Sequence, residues 1–596
     1  MKYTCFITIL ISVLLLCSCG KTDKENLQNG TSSETSSSAI TEISTDTETA
    51  AVTEAETTAV TVVTEEKAST IAESTQTETT LTESETTYIP ETTTVSVVTE
   101  EITTASTNAT ATEVSVVETT KPVTATTVVT TTTKAETTTA ETTTATETVT
   151  TVQPENLSPV MKQYLSISDK INSIIDKVSK ERDYPVVHIL TYNGEKINSK
   201  EKYNDTVIDV FNCDEEYRLT AEGGVKVRGN SSANDSVLPY RIKFNKKQNM
   251  LGLHDGKKYK SWVLMKSNWN LVPDFMALSL AEEIFNGEYY SSDCTYVNLY
   301  INGEFEGIYL LCEQNQAAND RVDIYEPKEN EKQTDIGYFL EMDNYAGVDP
   351  NEPCFFLEYN GMTYTDMLGE SRKVEPDGFT IKSDTYSDEQ RKFIQKYMEG
   401  VFKICYEGIE NKKVLMFDSN YNVVPAGSKY RTPQQAIEAV IDTKSVANML
   451  ILEELVHNYD VGAGSFFMAV DFSAESIYPR LTFLAPWDFN WAYEGDSSNA
   501  YYAGTFQKPV HDGYERSNIW LIMFMKADWF NDIVKDKWAE LQADDSLNKV
   551  VAEVCEVAKS LENDLGQDES WRINCAGDIA DFVSGRIKWL DTVWKK

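Results

Sequence analysis

Two aspartates stand at the ends of predicted elements, where a carboxylate can face a cleft. Asp460 follows a helical pattern over residues 443–457, and Asp488 follows a predicted strand over residues 481–486. Phosphoryl transfer needs one carboxylate to orient the attacking hydroxyl and another to hold Mg²⁺ on the phosphates. The positions of these two residues therefore favour phosphoryl transfer. The alternative is structural, since Asp often caps turns and accepts backbone hydrogen bonds at strand ends.

The predicted elements between the two aspartates can bring them together. After the helix, a Gly-containing loop leads to a strand over residues 466–470, whose partner strand ends just before Trp487 and Asp488. A helix, loop and hairpin in this order return the chain to one cleft. Protein-kinase catalytic and magnesium-binding loops are arranged in this way, and Asp488-Phe489-Asn490 is loosely like their Asp-Phe-Gly motif.

Alternating side chains predict strands before this region. A strand over residues 223–229 is followed by a polar loop and a second strand over residues 240–244. In the second strand the apolar side chains share one face, which leaves Lys243 on the other. Asn302-Gly303 between two apolar runs is typical of a hairpin with a type I′ turn. Since the pattern is helical after about residue 517, we predict an α+β fold with mixed or antiparallel sheet and a helical C-terminal half.

Several motifs, taken together, resemble the CotH family, the spore-coat-protein-H-like kinases. They are Arg228-Gly229-Asn230-Ser231-Ser232, Tyr240-Arg241-Ile242-Lys243-Phe244, the hairpin over residues 297–309, Asn458-Tyr459-Asp460 and Trp487-Asp488-Phe489-Asn490. Their order covers roughly residues 186–491. The resemblance implies an atypical protein-kinase-like fold that binds ATP with Mg²⁺ and phosphorylates Ser or Thr of protein acceptors.

The resemblance also implies roles for individual residues. Asp460 would be the catalytic base, Asp488 the magnesium ligand and Lys243 the phosphate-binding lysine. Glu313 is a candidate for orienting that lysine or a metal-bound water. The residues expected to approach the nucleotide phosphates are Arg228, Asn230, Ser231 and Ser232.

The chain departs from the family pattern around the expected metal site. Ser465 stands five positions after Asp460, where a metal-binding Asn is expected, and Asn490 stands where an acid often follows the Trp-Asp pair. Near residues 268–275 the family's usual Asp followed by an Arg is also missing. These departures leave open an alternative, a catalytically weakened surface module that binds cell-wall, polysaccharide or host partners.

The N-terminus predicts export and lipid anchoring. Lys2 precedes an apolar run over residues 6–16 that is too short to span a bilayer, as in a secretory signal. Leu16-Cys17-Ser18-Cys19 resembles the bacterial lipobox, whose cysteine is acylated. We therefore expect a signal peptide over residues 1–18, a lipid on Cys19 that anchors the chain to a membrane, and an extracellular domain at the cell surface. An ordinary signal peptide would instead release the protein.

The next segment is dominated by Thr and Glu. Residues 31–152 repeat Thr, Glu, Ala, Val and Ser with almost no aromatic residue, so they cannot bury enough surface to offset their ordering entropy. We predict a disordered tether over residues 19–153. Residues 154–596 have ordinary globular composition and are predicted to form one kinase-like domain.

Charge and metal-ligand counts exclude other classes. The net charge is −41, with 94 acidic and 53 basic residues, which argues against nucleic-acid binding because phosphate contact needs a clustered positive surface. The domain's cysteines form no CxxC pairs and its histidines are far apart, so a zinc site is not expected. One or two disulfides remain open, and the sequence does not fix their pairing.

Overall fold

The computed structural model of this chain describes residues 157–229, 233, 236–266, 270–495, 497, 500–508 and 516–596. These residues belong to Thr93–Lys596, one of two compact units in the chain. The predicted signal peptide, Cys19 and the predicted tether lie outside the described residues, and so do Asn230, Ser231 and Ser232.

A closed barrel of seven strands forms the first part of the described chain, in the order β1-β2-β3-β4-β5-β7-β6. Neighbouring strands are antiparallel except β1 and β6, which run parallel. The strands are β1 (Val186–Thr191), β2 (Asn204–Phe211), β3 (Leu219–Val227), β4 (Tyr240–Gln248), β5 (Tyr259–Met265), β6 (Cys294–Ile301) and β7 (Glu304–Glu313). The alternation predicted for β4 is confirmed, since Ile242 and Phe244 are buried while Lys243 is exposed.

The predicted hairpin between β6 and β7 is confirmed. Asn302 and Gly303 connect the strands with φ values of 54° and 90°. A type I′ turn requires positive φ at both central positions, which Asn and Gly tolerate. The hairpin register places Cys294 directly opposite Cys312.

A second sheet has five strands in the order β16-β15-β8-β12-β9, and two further pairs form small ribbons, β10 with β11 and β13 with β14. The remaining strands are β8 (Gly337–Met342), β9 (Cys354–Leu357), β10 (Thr363–Thr365), β11 (Ser371–Lys373), β12 (Asp377–Ile381), β13 (Leu415–Phe417), β14 (Val423–Pro425), β15 (Phe466–Asp471) and β16 (Thr482–Phe483). β15 pairs with β8 so that Phe467 lies opposite Glu341.

Of the described helices, two precede the barrel, a third lies between its strands β5 and β6, and the remaining helices follow it. The helices are α1 (Pro159–Ser166), α2 (Ser168–Glu181), α3 (Val272–Phe285), α4 (Asp388–Ile409), α5 (Pro433–Glu438), α6 (Thr443–Val456), α7 (Ile519–Met525), α8 (Asp528–Ala543), α9 (Ser546–Ser560), α10 (Glu562–Glu569) and α11 (Ala576–Trp594). α3, between β5 and β6, packs against α6 and α9, and α11 packs against α6, α8 and α9. The predicted mixture of sheets and helices is confirmed for the described residues, and the chain is helical from Ile519 onward. The predicted helical C-terminal half is too wide, because β12 to β16 also lie in that half.

Capping defines the helix that leads to Asp460. Asp442 begins α6, because its Oδ1 accepts hydrogen bonds from the backbone N–H groups of Lys444 and Ser445 at 3.1 and 3.4 Å. His457 ends it in the left-handed conformation with a φ of 49°. The predicted helix over residues 443–457 is thus confirmed to within one residue. In the described part of the chain, no helix has the length and apolar character needed to cross a membrane.

Candidate active site

Asp460 lies in a tight loop just after α6. Its carbonyl accepts the N–H groups of Ala463 and Gly464 at 2.9 and 3.1 Å, and its own N–H donates to Asn458 Oδ1 at 3.2 Å. The Asp460 carboxylate pairs with the Arg516 guanidinium, which lies 4.6 Å over the Tyr459 ring. Both side chains are 22% exposed, so the carboxylate is fixed but reachable from solvent.

Asp488 follows β16 in an unusual backbone conformation. Its φ of 67° is in the left-handed region, which non-glycine residues adopt at a cost. Ser465 Oγ donates a hydrogen bond to Asp488 Oδ2 at 3.4 Å. Burial raises the pKa of the Asp488 carboxyl, the charge of Asp460 raises it further, and Arg228 and Ser465 lower it.

The structure therefore brings Asp460 and Asp488 into one site. Their charges interact, and Ser465 connects the two loops because it follows Asp460 by five residues and contacts Asp488. Asn490, the other residue predicted at the metal site, is exposed. The site thus combines two carboxylates from separate elements with one hydroxyl.

Arg228 brings a positive charge to the same site from the end of β3. Its guanidinium lies 5.5 Å over the Trp487 ring, and burial lowers its pKa while Asp488 raises it. The Arg228 N–H donates to the Pro239 carbonyl at 3.0 Å, which closes the base of the loop between β3 and β4. The Arg228 charge thus interacts with that of Asp488, whereas its predicted contact with the nucleotide phosphates stays a prediction.

Lys243 is not brought to this site. It is exposed on the outside of β4, because its neighbours Ile242 and Phe244 point into the barrel. Its charge acts on Lys226, which lies on the paired strand β3. The structure therefore places Arg228, and not Lys243, near the two aspartates.

Glu313 also differs from its prediction. Its side chain is fully buried and pairs with Arg321 Nε at 2.8 Å and with His254 Nδ1 at 2.9 Å. An acid that holds these two partners does not orient Lys243, so that part of the prediction is wrong. The alternative role, orienting a metal-bound water, stays a prediction. Glu313 instead neutralises a buried guanidinium.

Asp274 belongs to the site but was missed from the sequence. It lies in the first turn of α3, and its Oδ1 accepts the Phe489 N–H at 2.7 Å. Burial raises the pKa of its carboxyl to about 7, and the nearby Asp488 charge contributes. The sequence signal was an Asp after Pro273 at a helix start, which ordinarily indicates only a favourable helix-dipole position.

A second acid near the site was also missed, and one buried lysine lies outside the site. Glu341 on β8 pairs with Lys382 Nζ at 2.8 Å, and its charge acts on both Asp488 and Arg228. Lys266, one residue beyond β5, is buried and donates to the Glu306 carbonyl at 3.0 Å. Burial lowers the pKa of Lys266 to about 8. Its contact with the Glu306 carbonyl shows that Lys266 packs against the β6–β7 hairpin.

The donor set at Asp488 fits Mg²⁺. A carboxylate and a hydroxyl are the hard oxygen donors that Mg²⁺ prefers, and a bound cation would offset the burial that raises the Asp488 pKa. Among the described residues, no three His, Cys, Asp or Glu side chains cluster to hold a metal by themselves. Phosphate oxygens would therefore have to complete the coordination, as they do in kinases.

Comparison with known proteins identifies one family. The family model described as CotH kinase protein matches residues 225–590, which is more than half of the chain. The match includes β4, the β6–β7 hairpin, Asp460 and Asp488. No curated protein matches the chain.

Proposed function

Because this chain belongs to the CotH kinase family, we propose that it transfers the γ-phosphoryl group of ATP to Ser or Thr hydroxyls of protein acceptors. The observation that carries the proposal is the meeting of Asp460 and Asp488 with Arg228 at one site. Family membership implies a kinase-like scaffold. The placement of these charges, between the barrel and the helical end of the domain, supports an atypical protein-kinase-like fold.

Asp460 is proposed to act on the acceptor. Its carboxylate would orient the acceptor hydroxyl and take the proton as the new oxygen–phosphorus bond forms and the bond to the leaving ADP oxygen breaks. Arg516 pairs with this carboxylate and holds it in place. An ion pair of this kind favours the ionised form that a base requires.

Asp488 and Arg228 are proposed to hold the nucleotide tail. Asp488 and Ser465 would hold Mg²⁺, which when bound neutralises charge on the phosphates. Arg228 would contact a phosphate oxygen, because its planar donors suit that geometry. The β3–β4 loop, including Asn230, Ser231 and Ser232, would cover the phosphates, since its two ends meet at Arg228 and Pro239.

The test is magnesium-dependent transfer of labelled phosphate from ATP to a generic acceptor by the full chain. We expect transfer by the native protein and a loss of 100-fold or more in Asp460→Asn and Asp488→Asn, in line with general-base and electrostatic contributions. Asp320→Asn is the matched control, because this carboxylate is 49% exposed and pairs only on the surface with Lys257. The proposal would be contradicted if the native chain transfers no phosphate and is not stabilised by ATP with Mg²⁺.

One observation favours the second candidate, a weakened module that binds cell-wall, polysaccharide or host partners. Ser465 stands beside Asp488 at the position where a metal-binding Asn is expected, and Asn490 is exposed. The test is binding of the native chain and of Asp460→Ala to a plant or bacterial polysaccharide. Equal binding by both proteins, with no phosphate transfer by the native chain, would support this candidate over the kinase.

We also propose that the domain is held at the cell surface by a lipid on Cys19 and extended by the Thr-rich segment. The lipobox-like Leu16-Cys17-Ser18-Cys19 and the composition of residues 31–152 support this proposal. Cys19→Ser should prevent acylation, so the protein should either leave the membrane fraction for the medium or keep its uncleaved signal peptide. Membrane association of a Cys19→Ser chain whose signal peptide has been removed would contradict lipid anchoring.

A further inference from the structure

Two cysteine side chains face each other across the β6–β7 hairpin. Cys294 and Cys312 are direct partners in the antiparallel register. One position along, the Glu313 N–H donates to the Asp293 carbonyl at 3.1 Å. Hydrogen-bonded and non-hydrogen-bonded pairs alternate along an antiparallel ladder, so Cys294 and Cys312 form a non-hydrogen-bonded pair. Cα atoms in such a pair are about 4.5 Å apart, which a disulfide can span.

The surroundings of the pair suit a cross-link. The two thiols lie close enough to interact, with Cys312 fully buried and Cys294 partly exposed. Burial raises the pKa of the Cys312 thiol, so the accessible Cys294 is the sulfur that an oxidant meets first. The charges of Asp274 and Arg228 act on Cys312, so the pair lies near the candidate active site.

We propose that Cys294 and Cys312 form an intrachain disulfide when the chain meets a small-molecule or protein disulfide. The Cys294 sulfur attacks the oxidant, forms a mixed disulfide and releases one thiol. The Cys312 sulfur then attacks Cys294 and releases the second thiol, so the oxidant gains the two electrons and two protons that the cysteines lose. The disulfide would join the start of β6 to the end of β7, beside α3. Its formation does not depend on whether the candidate active site transfers phosphate.

Peptide mapping tests this disulfide. The full chain is incubated with oxidised glutathione, alkylated and cleaved without reduction at glutamates, since Glu304 and Glu306 lie between the two cysteines. We expect one linked pair of peptides containing Cys294 and Cys312, with two fewer titratable thiols than in the reduced protein.

Variants provide the controls for this experiment. Cys405→Ser, which removes a fully buried cysteine of α4, should keep the linked pair. Cys312→Ser should leave Cys294 as a glutathione adduct, because its resolving sulfur is absent. Alkylation of both cysteines in the oxidised native chain, or a bond from Cys294 to a different cysteine, would overturn the proposal.

Discussion

At the scale of single residues, Asp460 and the loop that carries Asp488 are held by partners that lie far from them in the sequence. Asp460 and Asp488 themselves could be recognised from the sequence, because each ends an element beside apolar neighbours. Asp274 could not, because its hydrogen bond to Phe489 joins residues 215 positions apart and depends on how α3 packs. Arg516 is likewise 56 positions from Asp460.

The two candidate cations give a direct prediction. Arg228→Met should weaken stabilisation by ATP with Mg²⁺ and lower phosphate transfer at least 10-fold, since a charged hydrogen bond contributes about 1.5–3 kcal/mol. Lys243→Met should change neither, because Lys243 is exposed on the other side of β4. Thermal shift and transfer rates measure both effects. The reverse pattern would return the phosphate-binding role to Lys243.

The raised pKa of Asp274 gives a pH dependence. Its value of about 7 in the folded chain compares with about 3.9 for an unperturbed Asp. Between these pH values the folded state binds more protons than the unfolded state, so this residue's contribution to stability falls as pH rises from about 4 to 7. Asp274→Asn removes the titration and retains an oxygen to accept the Phe489 N–H.

The melting temperature of Asp274→Asn relative to the native protein should therefore increase from pH 5 to pH 8. The measurement is thermal unfolding of both proteins in a chelator-containing buffer, which removes metal effects. A difference between the two proteins that is the same at pH 5 and pH 8 would show that Asp274 does not titrate in this range.

At the scale of elements, local patterns predicted strands, the hairpin and α6, whereas tertiary pairing decided the rest. Asn302-Gly303 and the alternation in β4 are local signals, and both were confirmed. The closure of the barrel by parallel β1 and β6 was not predicted, because that pairing joins strands more than a hundred positions apart. The predicted strand over residues 481–486 shortens to Thr482–Phe483 because the chain then turns toward Asp488.

The start of α3 is expected to position the Asp488 loop. Asp274 accepts the Phe489 N–H, and the Tyr493 hydroxyl donates to the Pro273 carbonyl at 3.0 Å. Asp274→Ala should reduce stability by about 1–3 kcal/mol, because it leaves a buried N–H unsatisfied. It should also weaken Mg²⁺-dependent nucleotide binding, measured by calorimetry, whereas Asp274→Asn retains it. Equal binding by both variants would show that the contact does not position Asp488.

At the scale of the whole molecule, a buried ion pair connects α11 to α6, the helix that precedes the Asp460 loop. Arg586 of α11 and Glu454 of α6 are fully buried and pair at 2.8 Å. Glu454 also accepts the N–H groups of Tyr502 and Gly504, each at 2.8 Å. The helical end of the domain is therefore part of the support for Asp460.

Breaking that pair should be costly. Arg586→Met leaves Glu454 buried without its partner, and we expect a loss of about 3–5 kcal/mol in the free energy of unfolding. Lys595→Met, which removes a surface pair with Asp591, should change it by less than about 1 kcal/mol. Denaturant midpoints of the two variants measure this difference. Similar denaturant midpoints for Arg586→Met and Lys595→Met would indicate that the pair with α11 does not stabilise the site.

The most direct test of the central claim is a crystal structure of the full chain with Mg²⁺ and a non-hydrolysable ATP analogue. We expect Mg²⁺ coordinated by an Asp488 oxygen, a phosphate in contact with Arg228, and the terminal phosphate facing Asp460. A nucleotide bound elsewhere, with Asp460 and Asp488 touching neither phosphate nor metal, would contradict the account.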